Sequence, residues 1–263
     1  MTEQSYFDRR AATYDRDAVH HRVVSLLVGG VDIRPGSCIL DIATGTGILA
    51  LEAAQKAGPA GAVTGIDVSQ GMLAEARRKA AAAGLGTIDF VEADAEHLAS
   101  PRDSFDFIFC ASGIVFMSDI PRALRHWSDF LKPGGIIAFD APAKPFGISQ
   151  RIAEIAAVHG IYLSYADVAD TASKCRALLA GARFEVVDVR TELADASSIA
   201  LGEAIAFWDG RMGHPAWRAL RQAELATREV IRSEYVDRVT AMAVEGWVPN
   251  ETALSFVFGR RAA

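Results

Sequence analysis

The stretch Cys38-Ile39-Leu40-Asp41-Ile42-Ala43-Thr44-Gly45-Thr46-Gly47-Ile48-Leu49-Ala50 constrains the fold more than any other part of the chain. A short apolar run ends in an acid, two glycines follow one residue apart, and a helix-forming segment runs from Ile48 to Lys56. That is a strand, a tight turn and a helix start. Glycine serves where the backbone needs positive φ or where a ligand must touch it. A helix start adds free N–H groups and the positive end of a dipole. The turn therefore predicts a ligand with a nucleotide-like part. Gly45, Gly47 and Ala50 also satisfy the dinucleotide pattern, with Asp67 at the expected distance. On the turn alone, a nicotinamide or flavin dinucleotide remains open.

Composition narrows the partners. In 263 residues with net charge −6 there is no basic cluster of the kind a nucleic-acid binder carries. Arg77-Arg78-Lys79 reads as a solvated helix face. No apolar run has the length of a spanning helix, and the polar N-terminus does not resemble a signal peptide. Cys38, Cys110 and Cys175 lack metal spacing. They read as small buried hydrophobes in a reducing, cytoplasmic protein. No metal site is expected.

Taken in order, residues 1–37 read as a helical preface, with the first packed helix over His20 to Leu27. Strands are expected at Ile39–Ile42, Ala62–Asp67, Thr87–Glu92, Phe105–Ala111 and Ile136–Ala141, alternating with helices. Lys132-Pro133-Gly134-Gly135 reads as a sharp turn before the fifth. The segment 143–168 is less regular, and a helix follows over Thr171 to Leu179. A sixth strand spans Phe184–Arg190 and a last one Ala253–Arg260. Almost wholly apolar strands such as the fourth are buried on both faces, as in parallel sheets. The alternation implies an open sheet with helices on both sides. Residues 193–252 interrupt the last two strands with helical stretches and the aromatics Phe207, Trp208, Trp217, Tyr235 and Trp247.

In doubly wound sheets ligands bind at the carboxyl ends of the strands. There the chain places the glycine turn, then Asp67, an acceptor-only carboxylate suited to two ribose hydroxyls. Next come Asp94-Ala95, suited to an exocyclic amine and a ring nitrogen, and then Ala111-Ser112. Together they describe adenine, ribose and a short amino-acid tail. In this the chain resembles the class I S-adenosylmethionine-dependent methyltransferases. Asp41 to Gly47, Gly65-Ile66-Asp67-Val68-Ser69 with Met72-Leu73, Ala93 to Glu96, Ser104 to Ile108 and Leu131 to Gly135 are similar to that family's motifs, in order and spacing, over about residues 36–142. Phe7 to Asp15 further resembles the entry segment of the small-molecule C-methyltransferases of quinone biosynthesis. Ala43-Thr44 departs from the Gly-Cys or Gly-Gly common in the family.

The resemblance implies an α/β fold: a doubly wound, seven-stranded Rossmann-like sheet of order 3-2-1-4-5-7-6, with strand 7 antiparallel. The expected division is a preface (1–37), a donor-binding domain (38–192 plus 253–263) and a helical cap (193–252). It implies S-adenosylmethionine as cofactor, held by Asp41, Ala43, Thr44, Gly45, Thr46, Gly47, Asp67, Val68, Met72, Asp94, Ala95, Ala111 and Ser112. Tyr14 is a candidate for the donor's carboxylate. A dinucleotide enzyme has no evident use for Asp94-Ala95 or the Lys-Pro-Gly-Gly turn, which argues against an oxidoreductase.

His20 and His21 lie in the preface, where either could deprotonate a hydroxyl; two ordinary surface histidines are the alternative. His97 and His126 read as surface residues and Asp106 as structural, while His159 and His214 have no evident place. The cap aromatics could line an acceptor pocket or form the cap's own core. The expected reaction is methyl transfer to carbon or oxygen of a small, hydrophobic metabolite. A donor-assisted cyclisation or rearrangement is the alternative on the same fold, and a non-catalytic donor-binding subunit a third reading.

Overall fold

The computed structural model describes residues 3–163 and 169–262. The chain opens with helix α1 (Glu3–Arg10), a 3₁₀ segment (Ala11–Arg16) and α2 (Ala18–Gly29). Strands and helices then alternate: β1 (Cys38–Ile42), α3 (Ile48–Ala57), β2 (Ala62–Asp67), α4 (Gln70–Ala82), β3 (Ile88–Glu92), β4 (Phe105–Cys110), α5 (Ile120–Ser128) and β5 (Leu131–Phe146). After α6 (Gly147–Val158) and α7 (Ala172–Gly181) comes β6 (Phe184–Asp195). The inserted segment holds β7 (Ser198–Ala200), α8 (Leu201–Arg211), α9 (Arg218–Gln222), α10 (Leu225–Met242) and β8 (Trp247–Pro249), and β9 (Thr252–Arg261) closes the chain. Of the irregular stretch expected at 143–168, residues 164–168 lie outside the described residues.

The main sheet has the order β3-β2-β1-β4-β5-β9-β6, the order expected from sequence with β9 as its seventh strand. β1 pairs in parallel with β2 and β4, and β9 runs antiparallel to both β5 and β6. Side chains alternate along each strand, so β1 feeds both faces. Ile39 packs with Val23, Leu27, Leu49 and Leu73 of α2, α3 and α4. Leu40 and Ile42 pack on the opposite face with Leu124, Trp127 and Leu179 of α5 and α7. Each such aliphatic side chain contributes about 1.5–3 kcal/mol when fully buried. Helix starts follow sequence chemistry: the side chains of Ser69, Asp119 and Thr171 accept from the amides of Met72, Arg122 and Lys174.

Three elements differ from the sequence expectation. Lys132 to Gly135 do not form a turn ahead of β5. Leu131 already pairs with Phe105 and Ile136 with Phe107, so residues 132–135 loop out of the strand opposite Asp106. Asp106 holds this bulge, accepting from the Cys38 amide and from Lys132 Nζ, both at 2.8 Å. β6 continues past Arg190 to Asp195 because β9 offers it a ladder over that whole length. The inserted segment is not wholly helical, since β7 and β8 form a small antiparallel sheet. Its core also takes in Ile148, Ile152 and Ile155 of α6, from before the expected cap boundary. Among the described residues no helix is long and apolar enough to cross a membrane. The three cysteines are free, with Cys110 and Cys175 buried.

Candidate active site

The glycine turn sits at the carboxyl end of β1 with an unusual backbone. Ala43, Gly45 and Gly47 all have positive φ, at 54°, 55° and 80°. Gly47 is the N-cap residue of α3, and a Cβ there would lie within 3.1 Å of Ala76, Leu51 and Phe90 side chains. Only glycine serves there without displacing the packing. At Gly45 the Cβ position is open, with nothing nearer than the Ala43 carbonyl at 4.0 Å. A ligand can therefore approach the backbone at that point.

Asp67 ties two loops together. One carboxylate oxygen accepts from the Gly45 amide and the other from the Ser69 amide, each at 2.9 Å. Burial raises its pKa, and the two amides work against that shift. Each oxygen keeps a further lone pair for a hydroxyl of a ligand. Asp41 is almost fully buried behind the turn. Its Oδ2 accepts from the Thr44 hydroxyl at 2.6 Å, while Oδ1 has no hydrogen-bond partner. Burial drives this carboxyl up to about 7, opposed by the Thr44 bond. Thr44 thus points its hydroxyl at Asp41, so its departure from the family pattern is an internal brace rather than a new surface contact.

A cavity of about 270 Å³ lies over these residues. Of the residues expected to hold the donor, Ala43, Gly45, Asp67, Val68, Met72, Asp94, Ala95, Ala111, Ser112 and Tyr14 border it, and Asp41, Thr44, Thr46 and Gly47 do not. The Thr46 hydroxyl bonds the Asp15 carboxylate. Asp94 is half exposed and takes its own loop as partner, accepting from the Glu96 amide at 2.9 Å and meeting His97 Nδ1 at 2.8 Å. The His97 bond lowers the Asp94 pKa. The loop is anchored from below, where the buried Trp127 Nε1 donates to the Ala95 carbonyl at 2.8 Å.

The preface folds over this cavity and is pinned by two aspartates. Asp8 accepts from the Gly71 amide at 2.9 Å and the Ser69 hydroxyl at 2.7 Å. Asp15 accepts from Thr46 and Lys79. These bonds bring Phe7 and Tyr14 down as a roof. Phe7 meets Phe116 edge-on at 5.3 Å. Asp8, Asp15, Phe116 and Met117 were not singled out from sequence; the acids at both ends of the preface aromatics were the available signal.

Beyond the roof a second chamber, of about 500 Å³, opens under the cap. Phe7, Tyr14, Ser112 and Phe116 border both spaces, so the two lie side by side. His20 lines this chamber, with its ring stacked on Tyr14 at 4.0 Å. Burial lowers its pKa to about 4, so the ring is neutral near pH 7. Its Nδ1 is buried without a partner. His21 is not brought there. It is exposed, and its Nε2 lies 3.0 Å from the Asp15 carbonyl on the outer side of α2. The i to i+1 step along a helix turns neighbouring side chains to different faces, so only one of the two histidines can face the chamber.

The chamber also gathers residues with no sequence signal. Asp140, at the inner end of β5, accepts from the Ser112 amide at 2.6 Å, and burial pushes its carboxyl up to about 6. His214 sits edge-on to Tyr6 at 5.4 Å and accepts from the Ala216 amide, and burial lowers its pKa to about 3. The cap aromatics divide. Trp208, Trp217 and Tyr235 are buried in the cap's core, Phe207 lines the chamber, and Trp247 is exposed. His126 is half-buried, bonding the Leu98 carbonyl at 2.8 Å, and His159 meets Glu234 at 3.0 Å on the surface. Among the described residues no group of acids, histidines or cysteines could hold a metal ion.

This geometry coincides with a family match. The model of the methyltransferase domain covers residues 39–135, from the glycine turn to the bulge in β5. Curated relatives include the aklanonic acid methyltransferase DauC of Streptomyces sp. strain C5, 38% identical over 138 residues, or 52% of this chain and 63% of that protein. The ubiquinone/menaquinone biosynthesis C-methyltransferase UbiE of Hahella chejuensis is 34% identical over 149 residues, or 53% of this chain and 60% of that protein. The chain therefore spans about 60% of the length of these relatives. Among solved structures, an N-methyltransferase of Haemonchus contortus in complex with phosphomonomethylethanolamine and S-adenosylhomocysteine shares the fold, with a TM-score of 0.59 at 17% identity. The alignment covers 100% of this chain and 61% of that one.

Proposed function

We propose that the protein transfers the methyl group of S-adenosylmethionine to a carbon or oxygen of a small, largely apolar metabolite. One arrangement carries this reading: a nucleoside-sized cavity on the glycine turn adjoins, across Tyr14 and Ser112, a larger chamber under the cap. The donor set fits such a molecule. Asp67 offers acceptors for ribose hydroxyls, and Asp94 with Ala95 suits the adenine edge. The open backbone at Gly45 and the unpartnered Asp41 Oδ1 suit the amino-acid end. The names of the relatives, with aklanonic acid and ubiquinone/menaquinone biosynthesis in them, agree with a small-molecule acceptor.

When bound, the donor supplies an activated methyl on a sulfonium that carries its own leaving group. The protein's part is therefore proximity and alignment. The roof of Phe7 and Phe116 excludes water from the junction. Tyr14 and Ser112 set the entry from one space to the other. His20 is neutral near pH 7, and a pKa lowered to about 4 suits it to accept a hydrogen bond from an acceptor hydroxyl rather than to hold its proton. A net charge of −6 and the absence of a basic cluster go with a cytoplasmic enzyme that has no nucleic-acid partner.

The deciding experiment incubates the protein with methyl-labelled S-adenosylmethionine and a panel of phenolic, quinonoid and carboxylic aromatic compounds. Label in an acceptor, with one S-adenosylhomocysteine formed per transfer, is expected. Product formed without label would instead favour a donor-assisted rearrangement. No calorimetric binding of S-adenosylhomocysteine would overturn the donor assignment.

A further inference from the structure

Two arginines line the chamber under the cap, Arg10 from the preface and Arg211 from α8. Neither has a carboxylate within ion-pair distance among the described residues. This is unlike Arg102 and Arg183, which both pair with Asp129 at 2.9 Å. Each guanidinium is instead carried on aromatic faces. Arg10 stands 5.6 Å from the Tyr6 ring centre and 5.5 Å from that of Tyr14, and Arg211 stands 5.0 Å from that of Phe207. A guanidinium held against a ring satisfies its charge partly through the π face and keeps in-plane N–H donors for a second partner. Arg10 spends one donor on a long bond to the Tyr6 hydroxyl at 3.4 Å.

The carboxylates that share the chamber are mostly engaged elsewhere. Asp140 accepts from the Ser112 amide, Asp17 caps α2 at the Val19 amide, and Asp195 accepts from Ser197. Glu203 is exposed at its rim. The charges of Arg10 and Arg211 both reach His20 and His214: at His214 they add to burial in keeping the ring neutral, and at His20 they add to burial against the opposing Asp17 carboxylate. The two guanidiniums therefore act on one shared space. Its remaining walls include Phe7, Val115, Phe116, Phe146, Phe207 and Leu254, an apolar surface suited to a flat body.

We infer that the chamber is built for a flat, acidic acceptor whose anionic oxygen, carboxylate or phenolate, is taken by Arg10 and Arg211 while its apolar body lies against the phenylalanines. This rests on the reading of the chamber as the acceptor site.

Calorimetry with two probes of equal shape tests it: 2-naphthoate and the uncharged 2-naphthamide, each titrated into the full chain with S-adenosylhomocysteine present. A hydrogen-bonded charge pair predicts about tenfold tighter binding of the acid. Arg211→Gln and Arg10→Gln are each expected to erase that preference, and Arg211→Lys to keep part of it. S-adenosylhomocysteine affinity, measured on each variant, reports separately on the donor side and on folding. Equal affinity for acid and amide, no binding of the acid, or a preference that survives both glutamine variants would overturn the inference. Failure of S-adenosylhomocysteine to bind, with the acid preference intact, would overturn the methyl-transfer reading alone.

Discussion

The cavity proposed for the donor and the chamber proposed for the acceptor share Tyr14 and Ser112 in their walls, yet they are built on different plans. The donor cavity is made by loops that follow successive strands, so each residue arrives at the end of its own short motif. The chamber is made by residues from Phe7 to Leu254 that share no motif and meet only because the cap folds over the sheet. The first plan tolerates little change in any one residue. The second is held by the cap's own core and can change its lining while the donor site stays in place.

The largest effect should come from attacking the cap's support. Trp217 is fully buried against Phe207 and Trp208. Trp217→Ala should cost about 3–5 kcal/mol of stability by denaturant unfolding. If the two regions are built separately, S-adenosylhomocysteine affinity at temperatures where the variant is folded should change far less than acceptor binding. Equal losses of both would remove the distinction.

The converse change is Asp67→Ala. It removes the acceptor of the Gly45 and Ser69 amides together with the proposed ribose contacts. S-adenosylhomocysteine affinity should fall by about 2–3 kcal/mol, roughly 30- to 150-fold, in calorimetry. Binding of an acceptor analogue in the chamber should change little.

Titration separates the regions in another way. Asp41, on the donor side, and Asp140, in the chamber, have carboxyls raised in the folded protein to about 7 and about 6. The stability they contribute is full below the unfolded value near 3.8 and is lost as pH rises through the folded values. His20 and His214, in the chamber, are lowered to about 4 and about 3. Their contribution is present above pH 6.5 and lost as pH falls through the folded values. Between about pH 4 and 6 the contributions of these four groups oppose one another. Asp41→Asn should therefore shift the slope of stability against pH upward there, and His214→Gln should shift it downward. The change in slope should reach about 1.4 kcal/mol per pH unit in urea unfolding. Unchanged slopes in both variants would show that these groups do not titrate as their burial requires.

The donor-side motifs were readable because each lies within a few residues of a strand end. Short apolar runs and glycine placement locate strand ends without long-range information. The sheet order came with the family resemblance. The chamber was illegible for the opposite reason. His214 meets Tyr6, and Arg211 shares a chamber with Arg10, across some two hundred residues of chain, and no local pattern records either. His20 and His21 carry the same chemistry and differ by one position, and only the packing of α2 decided which of them lines the chamber.

The smallest predicted effect returns to the glycine turn. Ala43 holds a positive φ of 54° that costs an alanine about 1 kcal/mol. Ala43→Gly should stabilise the protein by up to that amount in urea unfolding, with donor affinity little changed. A loss of stability would mean that the Ala43 methyl contributes more by packing than the backbone conformation costs.

What the chain determines by itself is the donor half: the parallel strands, their ends, and the acids and glycines that stand there, because these follow from short-range periodicity and backbone conformation. What only the tertiary structure decided is the chamber under the cap. It settled which histidine faces inward, that Thr44 braces Asp41, that Asp140 is buried beside Ser112, and that two arginines without carboxylate partners among the described residues share one chamber. Those facts depend on burial and on contacts between distant segments, and both exist only once the cap has closed over the sheet.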